Sequence, residues 1–197
     1  LMLQQQKQQV WKQHRQSYSH HIQIGIMGLG HMGAYVAHRF AAMGYQVAGW
    51  SNSKKEIHQV KSYVGLEQLT EFLAHSQILI NLMPLTKNNT GILSAQLFEQ
   101  LPDRAALIHV GRGQHLVEQD LINALDSGHL RGAIVDVFEQ EPLTEDHPFW
   151  QHKKIVVTPH IASHAPMSVV VEQILENDRR IQADLALLNQ IDLNKGY

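Results

Sequence analysis

The sequence predicts an α/β protein in which a doubly wound parallel sheet is followed by a long C-terminal helix. From Ile22 onward, short apolar runs alternate with amphipathic segments of helical length. The runs do not alternate with polar residues, which is typical of parallel strands buried on both faces. Beyond Pro166 the apolar residues fall at helical spacing, and no further strand follows. Elements in this order form one open α/β sheet with a helical tail.

About six strands are expected, enough for one complete doubly wound sheet. Each is a short apolar run that ends close to a glycine, a proline or a polar residue. The runs are IQIGIMG at 22–28, YQVAGW at 45–50, QILINLM at 77–83, AALIHV at 105–110, RGAIVDVF at 131–138 and KIVVTP at 154–159.

Helices are expected between these strands because the intervening segments are amphipathic and carry helix end signals. Met32, Val36 and Phe40 recur every four residues, and Gly44 is placed as a C-cap. Ser94 is a candidate N-cap for a later helix. The expected helices cover residues 31–44, 66–76, 94–102 and 117–128.

The tail is expected to form one long helix with an apolar face. That face must pack either on the sheet or on a region outside this chain. Its apolar residues are Val170, Ile174, Ile181, Leu185 and Leu188.

Composition excludes several classes of protein. The chain has 197 residues, of which 44% are hydrophobic and 17% charged, as in a globular domain. A net charge of -2 argues against electrostatic binding of nucleic acid. The lack of cysteine excludes disulfides and thiolate metal sites, and no apolar run reaches bilayer length. We therefore expect a cytoplasmic protein that binds neither nucleic acid nor membrane, with no metal site and with most of its 14 scattered histidines at the surface.

A glycine-rich turn links the first strand to the first helix and has the spacing G-x-G-x-x-G. In this context the pattern is typical of a Rossmann dinucleotide-binding loop. The first glycine permits a tight turn, the second admits a pyrophosphate, and the third lets the helix approach the strand. A glycine-rich turn without a ligand is the weaker alternative. The predicted cofactor-binding residues are Gly28, Leu29, Gly30, His31, Met32 and Gly33.

The segment after the second strand, GWSNSKK at 49–55, favours NADP over NAD. Enzymes that prefer NAD usually carry a carboxylate here, roughly 20 positions after the glycines, and a carboxylate would repel a 2′-phosphate. Here Ser51, Asn52, Ser53 and Lys54 offer hydrogen bonds and positive charge instead. The alternative is that the lysines are ordinary solvated loop residues, and NAD remains a possible cofactor.

Polar residues follow three later strands, at the edge where open parallel sheets bind ligands. Arg112 lies between two glycines, Asp136 and Glu141 follow the next strand, and His160 follows Pro159. Taken alone, each is more often a solvated or structural residue. Together they supply a cation for a carboxylate, an acid–base group, and a carboxylate to orient it.

These motifs resemble the D-isomer-specific 2-hydroxyacid dehydrogenase family, most closely its glyoxylate/hydroxypyruvate reductase A type. The likeness covers nearly the whole chain. The matching segments are GLGHMG (28–33), WSNSKK (50–55), NLMPLT (81–86), GRG (111–113), ALDSGHLRGAIVDVFEQEPL (124–143), TPHIA (158–162) and KGY (195–197).

The resemblance implies a catalytic set and an activity. Arg112 matches the arginine that binds the substrate carboxylate and carbonyl, His160 the catalytic histidine, and Glu141 the glutamate paired with that histidine. The implied reaction is reduction of a small 2-oxo acid, glyoxylate or hydroxypyruvate, to the 2-hydroxy acid with NADPH. The resemblance also implies a homodimer.

Further cofactor contacts are implied by the same resemblance. Asp136 matches the acid that contacts the nicotinamide carboxamide, and Pro84 and Thr86 match a loop that passes near the adenosine.

Three regions are expected: a helix and linker at 1–21, the dinucleotide-binding domain at 22–165, and at 166–197 a helix that returns to a substrate domain. In the family that domain is built mostly from residues preceding the dinucleotide-binding domain, and these are absent here. We therefore expect this chain alone to bind cofactor with little turnover. The alternative is a cofactor-binding and dimerisation module, or a corepressor-like nucleotide sensor.

Overall fold

A computed structural model describes residues 2–13, 17–163 and 165–190. Within these residues the chain forms one sheet of seven parallel strands in the order β3-β2-β1-β4-β5-β6-β7. The strands are β1 (Gln23–Met27), β2 (Gln46–Ser51), β3 (Val60–Val64), β4 (Ile78–Asn81), β5 (Ala105–His109), β6 (Leu130–Val135) and β7 (Ile155–Val157). The predicted doubly wound parallel sheet is confirmed.

Helices connect the strands and form the tail. They are α1 (Met2–Lys7), α2 (His31–Ala42), α3 (Leu69–Ala74), α4 (Ala95–Phe98), α5 (Glu118–Asp126) and α6 (Met167–Gln182). Short 3-10 turns cover Ser19–His21, Leu66–Gln68, Gly113–His115 and Pro148–Trp150.

Of the two predicted helix end signals, the C-terminal glycine is confirmed and the N-terminal serine is confirmed in position only. Gly44 has φ +83°, and its N–H donates to the carbonyl of Ala41, so it ends α2 as predicted. Ser94 occupies the N-cap position of α4, but its side chain makes no capping hydrogen bond.

The strand β3 was missed by the sequence pattern. It is an edge strand that pairs only with β2, and Tyr63 is its only buried residue. An edge strand covered on one side needs few apolar residues, so VKSYV contains no continuous apolar run. The sheet therefore has one strand more than expected.

Two apolar clusters lie on opposite faces of the sheet, because successive strand residues point to opposite sides. Ile24, Ile26 and Ile80 pack with the α2 residues Ala37 and Ala41. The other cluster includes strand residues next to these and residues of α3, α4 and α5, among them Met27, Leu79, Phe72, Leu97 and Leu121. Helices on both faces are the mark of the doubly wound arrangement.

The face carrying α2 is left partly uncovered beyond β5. Ile134 on β6 is 39% exposed and Val156 on β7 is 55% exposed. The expectation that every strand is buried on both faces was therefore wrong for β6 and β7, since α2 packs against the other half of the sheet.

The C-terminal helix is shorter than expected and does not pack on the sheet. It ends at Gln182, so Leu185 and Leu188 lie beyond it, and no residue of α6 is buried. The chain then turns back, and the Asn177 side chain hydrogen-bonds both the N–H and the carbonyl of Leu188. The matched KGY at 195–197 lies outside the described residues. Within the part of the chain that is described, no helix combines the length and apolar character needed to cross a bilayer.

Candidate active site

All predicted site residues lie in segments that follow the carboxyl ends of parallel strands or, for His31–Gly33, at the start of the adjoining helix. Since every pairing in the sheet is parallel, these segments share one edge. The strand order reverses next to β1, where the chain goes to β2 on one side and β4 lies on the other. Open α/β sheets bind ligands in the crevice at such a reversal. The glycine loop of 28–33 begins at this point.

The space around the glycines of this loop is compatible with the three roles that the motif predicts, and their role in binding a cofactor stays a prediction. Gly28 has φ +95°, and a Cβ there would lie 2.9 Å from the Met83 backbone. Gly30 is the N-cap of α2, and a Cβ there would meet nothing within 4 Å. A Cβ on Gly33 would lie 1.8 Å from the Gly28 carbonyl oxygen. The loop is therefore tight where helix meets turn and open at Gly30, beside the free N–H groups of α2.

The remaining loop residues differ in their surroundings. Leu29 is 2% exposed and fills the space over Gly49, so it can offer a ligand only its backbone. His31 and Met32 are exposed. The expected apolar helix face through Met32 was therefore wrong at that residue, which is 45% exposed, because α2 buries its small residues instead.

The segment predicted to hold a 2′-phosphate follows β2. The Ser51 hydroxyl donates to the carbonyl of Ser53 at 2.8 Å and closes a turn. Asn52, Ser53 and Lys54 are exposed, and residues 51–55 include no carboxylate. An open depression of about 410 Å³ lies beside them, with Lys54 among its lining residues. The preference for NADP stays a prediction.

The loop after β4 is held by a side chain that the sequence did not single out. Asn89 accepts a hydrogen bond from the Thr86 N–H at 2.7 Å and donates to the Pro84 carbonyl at 2.8 Å. Pro84 is exposed and Thr86 half-buried. The roles of both near an adenosine stay predictions.

The predicted acid–base pair is brought together across the loops after β6 and β7. His160 Nδ1 lies 2.8 Å from Glu141 Oε2, and Glu141 Oε1 accepts the Phe138 N–H at 2.9 Å. The hydrogen bond from His160 is the main cause that lowers the pKa of Glu141, with the Phe138 N–H adding to it. An ionised Glu141 can only accept a hydrogen bond, so His160 Nδ1 is the donor. The other ring nitrogen of His160, Nε2, is then available to a ligand.

Asp136 holds the backbone of the turn that carries His160. The carboxylate is 2% exposed, its Oδ1 accepts the Thr158 hydroxyl at 2.5 Å and the Ile161 N–H at 3.0 Å, and Oδ2 accepts the Ala162 N–H at 2.9 Å. The His160 N–H donates to the Asp136 main-chain carbonyl at 2.9 Å. Burial raises the pKa of Asp136, but these hydrogen bonds outweigh it and the pKa is lowered. A nicotinamide contact by Asp136 stays a prediction.

These hydrogen bonds of Asp136, here called the Asp136 clamp, hold His160 in a left-handed backbone conformation. His160 has φ +51°, which is unfavourable for a residue with a Cβ. Residues in such conformations persist where surrounding contacts hold them, and they cluster at functional sites. Pro159 alone therefore does not orient His160; the Asp136 hydrogen bonds do.

Arg112 lies on the turn after β5, against the loop that carries Glu141. Its guanidinium is exposed and donates from Nη1 to the Gly111 carbonyl at 2.7 Å. A Cβ on Gly113 would lie 2.0 Å from the Phe138 carbonyl oxygen, so the two loops pack backbone to backbone. The loops of Arg112, Glu141 and His160 thus form one continuous edge.

Three buried polar residues behind Arg112 were missed. Asn81, His109 and His115 are all 0% exposed. His109 and His115 are therefore exceptions to the expectation that most histidines lie at the surface. Asn81 and His109 end β4 and β5, where a polar residue ending an apolar run was the available signal, whereas nothing in the sequence marks His115.

Comparison with known proteins places the chain in a family. A profile described as "D-isomer specific 2-hydroxyacid dehydrogenase, NAD binding domain" matches residues 1–162. Glyoxylate/hydroxypyruvate reductase A of Photorhabdus laumondii is 42% identical over 193 residues, which are 98% of this chain and 62% of that protein. The chain thus spans about 62% of the length of this curated relative.

Two solved structures share the fold. A D-isomer specific 2-hydroxyacid dehydrogenase from Xanthobacter autotrophicus, in complex with NADPH and MES, has a TM-score of 0.96 at 40% identity, over 100% of this chain and 81% of that one. The NADPH-dependent glyoxylate/hydroxypyruvate reductase of Sinorhizobium meliloti, in complex with NADP and sulfate, has a TM-score of 0.95 at 36% identity, over 100% of this chain and 63% of that one. By its matched profile, its sheet and its glycine loop, the chain belongs to the D-isomer specific 2-hydroxyacid dehydrogenase family.

Proposed function

We propose that this chain carries the reaction centre of an NADPH-dependent reductase that converts glyoxylate or hydroxypyruvate to the 2-hydroxy acid. The observation that carries the proposal is the 2.8 Å contact between His160 Nδ1 and Glu141 Oε2 at the ligand-binding edge of the sheet. The activities for which the relatives from Photorhabdus laumondii and Sinorhizobium meliloti are named support the substrate class.

The glycine loop fits a dinucleotide. The open space at Gly30 and the free N–H groups at the start of α2 suit a pyrophosphate. Ser51, Asn52 and Lys54, with no carboxylate nearby in 51–55, suit the 2′-phosphate of NADP. When bound, NADPH supplies a hydride to the substrate carbonyl carbon.

The chain's own residues bind the substrate and move a proton. Arg112 binds the carboxylate of the 2-oxo acid, since a guanidinium offers paired donors to a carboxylate. His160 donates a proton from Nε2 to the substrate carbonyl oxygen. Glu141 accepts a hydrogen bond from Nδ1, which fixes the ring orientation so that Nε2 faces the substrate.

The rival function is a cofactor-binding module without turnover. It would need the glycine loop but no acid–base pair, so the intact contact between His160 and Glu141 favours the enzyme. Assembly into a homodimer also remains a proposal, which rests on the family resemblance. Sedimentation analysis would test it, and a monomer at all concentrations would contradict it.

The test combines cofactor binding with turnover. NADPH is titrated into the chain by fluorescence, and NADPH oxidation is followed with glyoxylate and with hydroxypyruvate. The same assays are run on a form extended by the region that the curated relatives possess and this chain does not cover. The proposal expects NADPH binding in both forms and turnover in the extended form, with little in this chain alone. NADPH binding without turnover in either form would favour the module.

A further inference from the structure

A buried polar cluster lies directly behind the Arg112 turn. Asn81 and His109 are register partners at the ends of β4 and β5, and His115 ends the 3-10 turn that follows Arg112. All three side chains are fully buried. Asn81 Nδ2 lies 3.2 Å from His109 Nδ1 and 3.0 Å from His115 Nδ1. One amide group therefore joins both imidazoles.

The hydrogen bonds fix which atoms donate. The Met83 N–H donates to Asn81 Oδ1 at 3.2 Å, so the Asn81 amide must present its NH₂ group to the two rings. The Arg112 N–H also donates to His115 Nδ1, at 3.2 Å. Both Nδ1 atoms are therefore acceptors, and His109 and His115 are neutral rings protonated at Nε2.

The electrostatics agree with neutral rings. Burial, reinforced by the neighbouring His115, lowers the pKa of His109 to about 3, although the backbone of Arg112 and, to a smaller extent, Asp136 oppose the shift. Burial is also the main cause that lowers the pKa of His115, with Arg112 adding to it and the Pro84 carbonyl opposing it.

The two Nε2 atoms mark the cluster as unusual. Both are buried and, among the described residues, neither has a partner at full hydrogen-bonding geometry, although the backbone of Arg112 lies near enough to affect His109 and that of Pro84 near enough to affect His115. Unpaired buried donors oppose folding, so apolar residues would fill this space at lower cost. The cluster must therefore serve a purpose that apolar residues cannot.

That purpose is visible at the Arg112 turn. Besides the Arg112 N–H bonded to His115, the backbone of Gly111 lies against the cluster. A Cβ on Gly111 would lie 2.9 Å from Asn81 Nδ2 and 3.0 Å from His115 Nδ1. The turn that presents Arg112 thus rests on Asn81 and His115, and Asn81 is in turn held by His109 and Met83.

We propose that Asn81, His109 and His115 are positioning residues for Arg112, an uncharged cluster that fixes its turn so that the guanidinium meets the carboxylate of a 2-oxo acid. The proposal rests on the proposed function, in which Arg112 binds that carboxylate. It assigns the cluster no role in holding the dinucleotide.

The first test needs no substrate. Nitrogen-15 spectra of the histidine side chains, recorded on the chain at pH 5 and at pH 7, report which ring nitrogen carries the proton. His109, whose pKa is lowered to about 3, should show an unprotonated Nδ1 and a protonated Nε2 at pH 5, and His115 should show the same pattern at pH 7. The exposed His38 serves as internal reference. A proton on Nδ1 of either buried ring would overturn the proposal.

The second test separates positioning from folding. Oxamate, a non-reducible analogue of a 2-oxo acid, is titrated into the NADPH-saturated extended form of the protein. His115→Leu should weaken oxamate binding by about ten- to a hundredfold, as small misplacements of binding groups do, and leave NADPH affinity nearly unchanged. His115→Asn, which keeps an acceptor at the Nδ1 position, should recover most of the loss. Ser76→Ala, which removes a buried hydroxyl remote from Arg112, is the matched control and should change neither affinity.

The outcomes distinguish the two proposals. Oxamate binding that survives Arg112→Ala, or its absence from the unaltered extended form, would overturn the proposed function and with it the positioning role that rests on it. Oxamate binding that is lost in Arg112→Ala but kept in His115→Leu would overturn the positioning role alone. If His115→Leu does not fold, Asn81→Asp replaces it. A carboxylate cannot donate to the rings, so oxamate binding should again fall, and unchanged binding would again overturn the positioning role.

Discussion

Replacing Asp136 by asparagine tests whether this residue holds the turn that carries His160. The substitution keeps the side-chain shape but removes the charge. In the unaltered protein the Ala162 N–H lies 2.9 Å from Asp136 Oδ2. If the amide oxygen of the new asparagine keeps the contacts with Thr158 and Ile161, its NH₂ group faces this N–H. A charge-assisted hydrogen bond becomes a contact between two donors, in a site that is only 2% exposed.

The expected loss follows from these contacts. A hydrogen bond to a charged group contributes about 1.5–3 kcal/mol, so the free energy of unfolding should fall by about 2 kcal/mol. For a chain of this size that corresponds to a melting temperature lower by roughly 4–8 °C. The loss has an upper limit, because Ile161 and Ala162 are exposed and the turn can open and hydrate their N–H groups.

The pH dependence of this loss has a definite sign. The folded pKa of Asp136 lies below its ordinary value, so its stabilisation is complete above an unfolded pKa of about 3.9 and disappears as the pH falls through the lower folded pKa. The unaltered protein and Asp136→Asn should therefore differ at pH 7 and converge in strong acid.

Urea unfolding followed by circular dichroism at pH 7 and at about pH 3 measures both effects. Asp103→Asn, at an exposed aspartate, is the control. Amide exchange at Ile161 and Ala162 shows whether the turn opens locally. A neutral surface substitution changes the free energy of unfolding by about 0.5 kcal/mol or less. If Asp136→Asn at pH 7 caused no larger change, and amide exchange at Ile161 and Ala162 stayed the same, the Asp136 clamp would be refuted.

Three further substitutions probe the cofactor site and the acid–base pair. Gly30→Val should weaken NADPH binding without unfolding the protein, because its Cβ meets only open space that the pyrophosphate needs; unchanged affinity would make the loop a simple turn. Asn52→Asp should erase or reverse a preference for NADPH over NADH by repelling the 2′-phosphate, whereas equal dissociation constants in the unaltered chain would refute that preference. Glu141→Gln should lower turnover in the extended form less than loss of His160 does, and since the pKa of Glu141 is lowered, its charge should persist to a pH below the ordinary glutamate range; a difference that persisted unchanged in strong acid would exclude the charge as its cause.

The parts of the fold that were predictable are those in which local pattern and burial agree. Strands β1, β2, β4 and β5 are continuous apolar runs because helices or neighbouring loops cover them, and each was expected close to its observed position. Strand β3 escaped because an edge strand is stabilised by backbone pairing to β2 rather than by an apolar run. The length of α6 was overestimated because Leu185 and Leu188 keep helical spacing after the chain has turned back.

The candidate site likewise contains features that could be predicted from the sequence and features that could not. His160 and Glu141 were assigned from residue type and position after strands, and their contact needs only that both strands end at one edge. The Asp136 clamp could not be predicted from the sequence. Its hydrogen bonds reach a turn some 25 residues further along the chain, and the left-handed φ of His160 that they hold has no sequence signal. The buried state of His115 depends on contact with Asn81, which is 34 residues away along the chain.

The most direct measurement is the turnover of His160→Ala beside its NADPH affinity, in the extended form of the protein, with glyoxylate or hydroxypyruvate as substrate. In the proposed mechanism His160 acts where charge develops on the substrate oxygen, whereas the proposed cofactor contacts lie mainly in the 28–33 loop and the segment at 51–54. Turnover should therefore fall by about a hundred- to ten-thousandfold, with NADPH affinity nearly unchanged. His38→Ala, at an exposed histidine of α2, should leave both values as they are. Near-normal turnover in His160→Ala, or loss of activity only through loss of NADPH binding, would contradict a proton-donating role for His160.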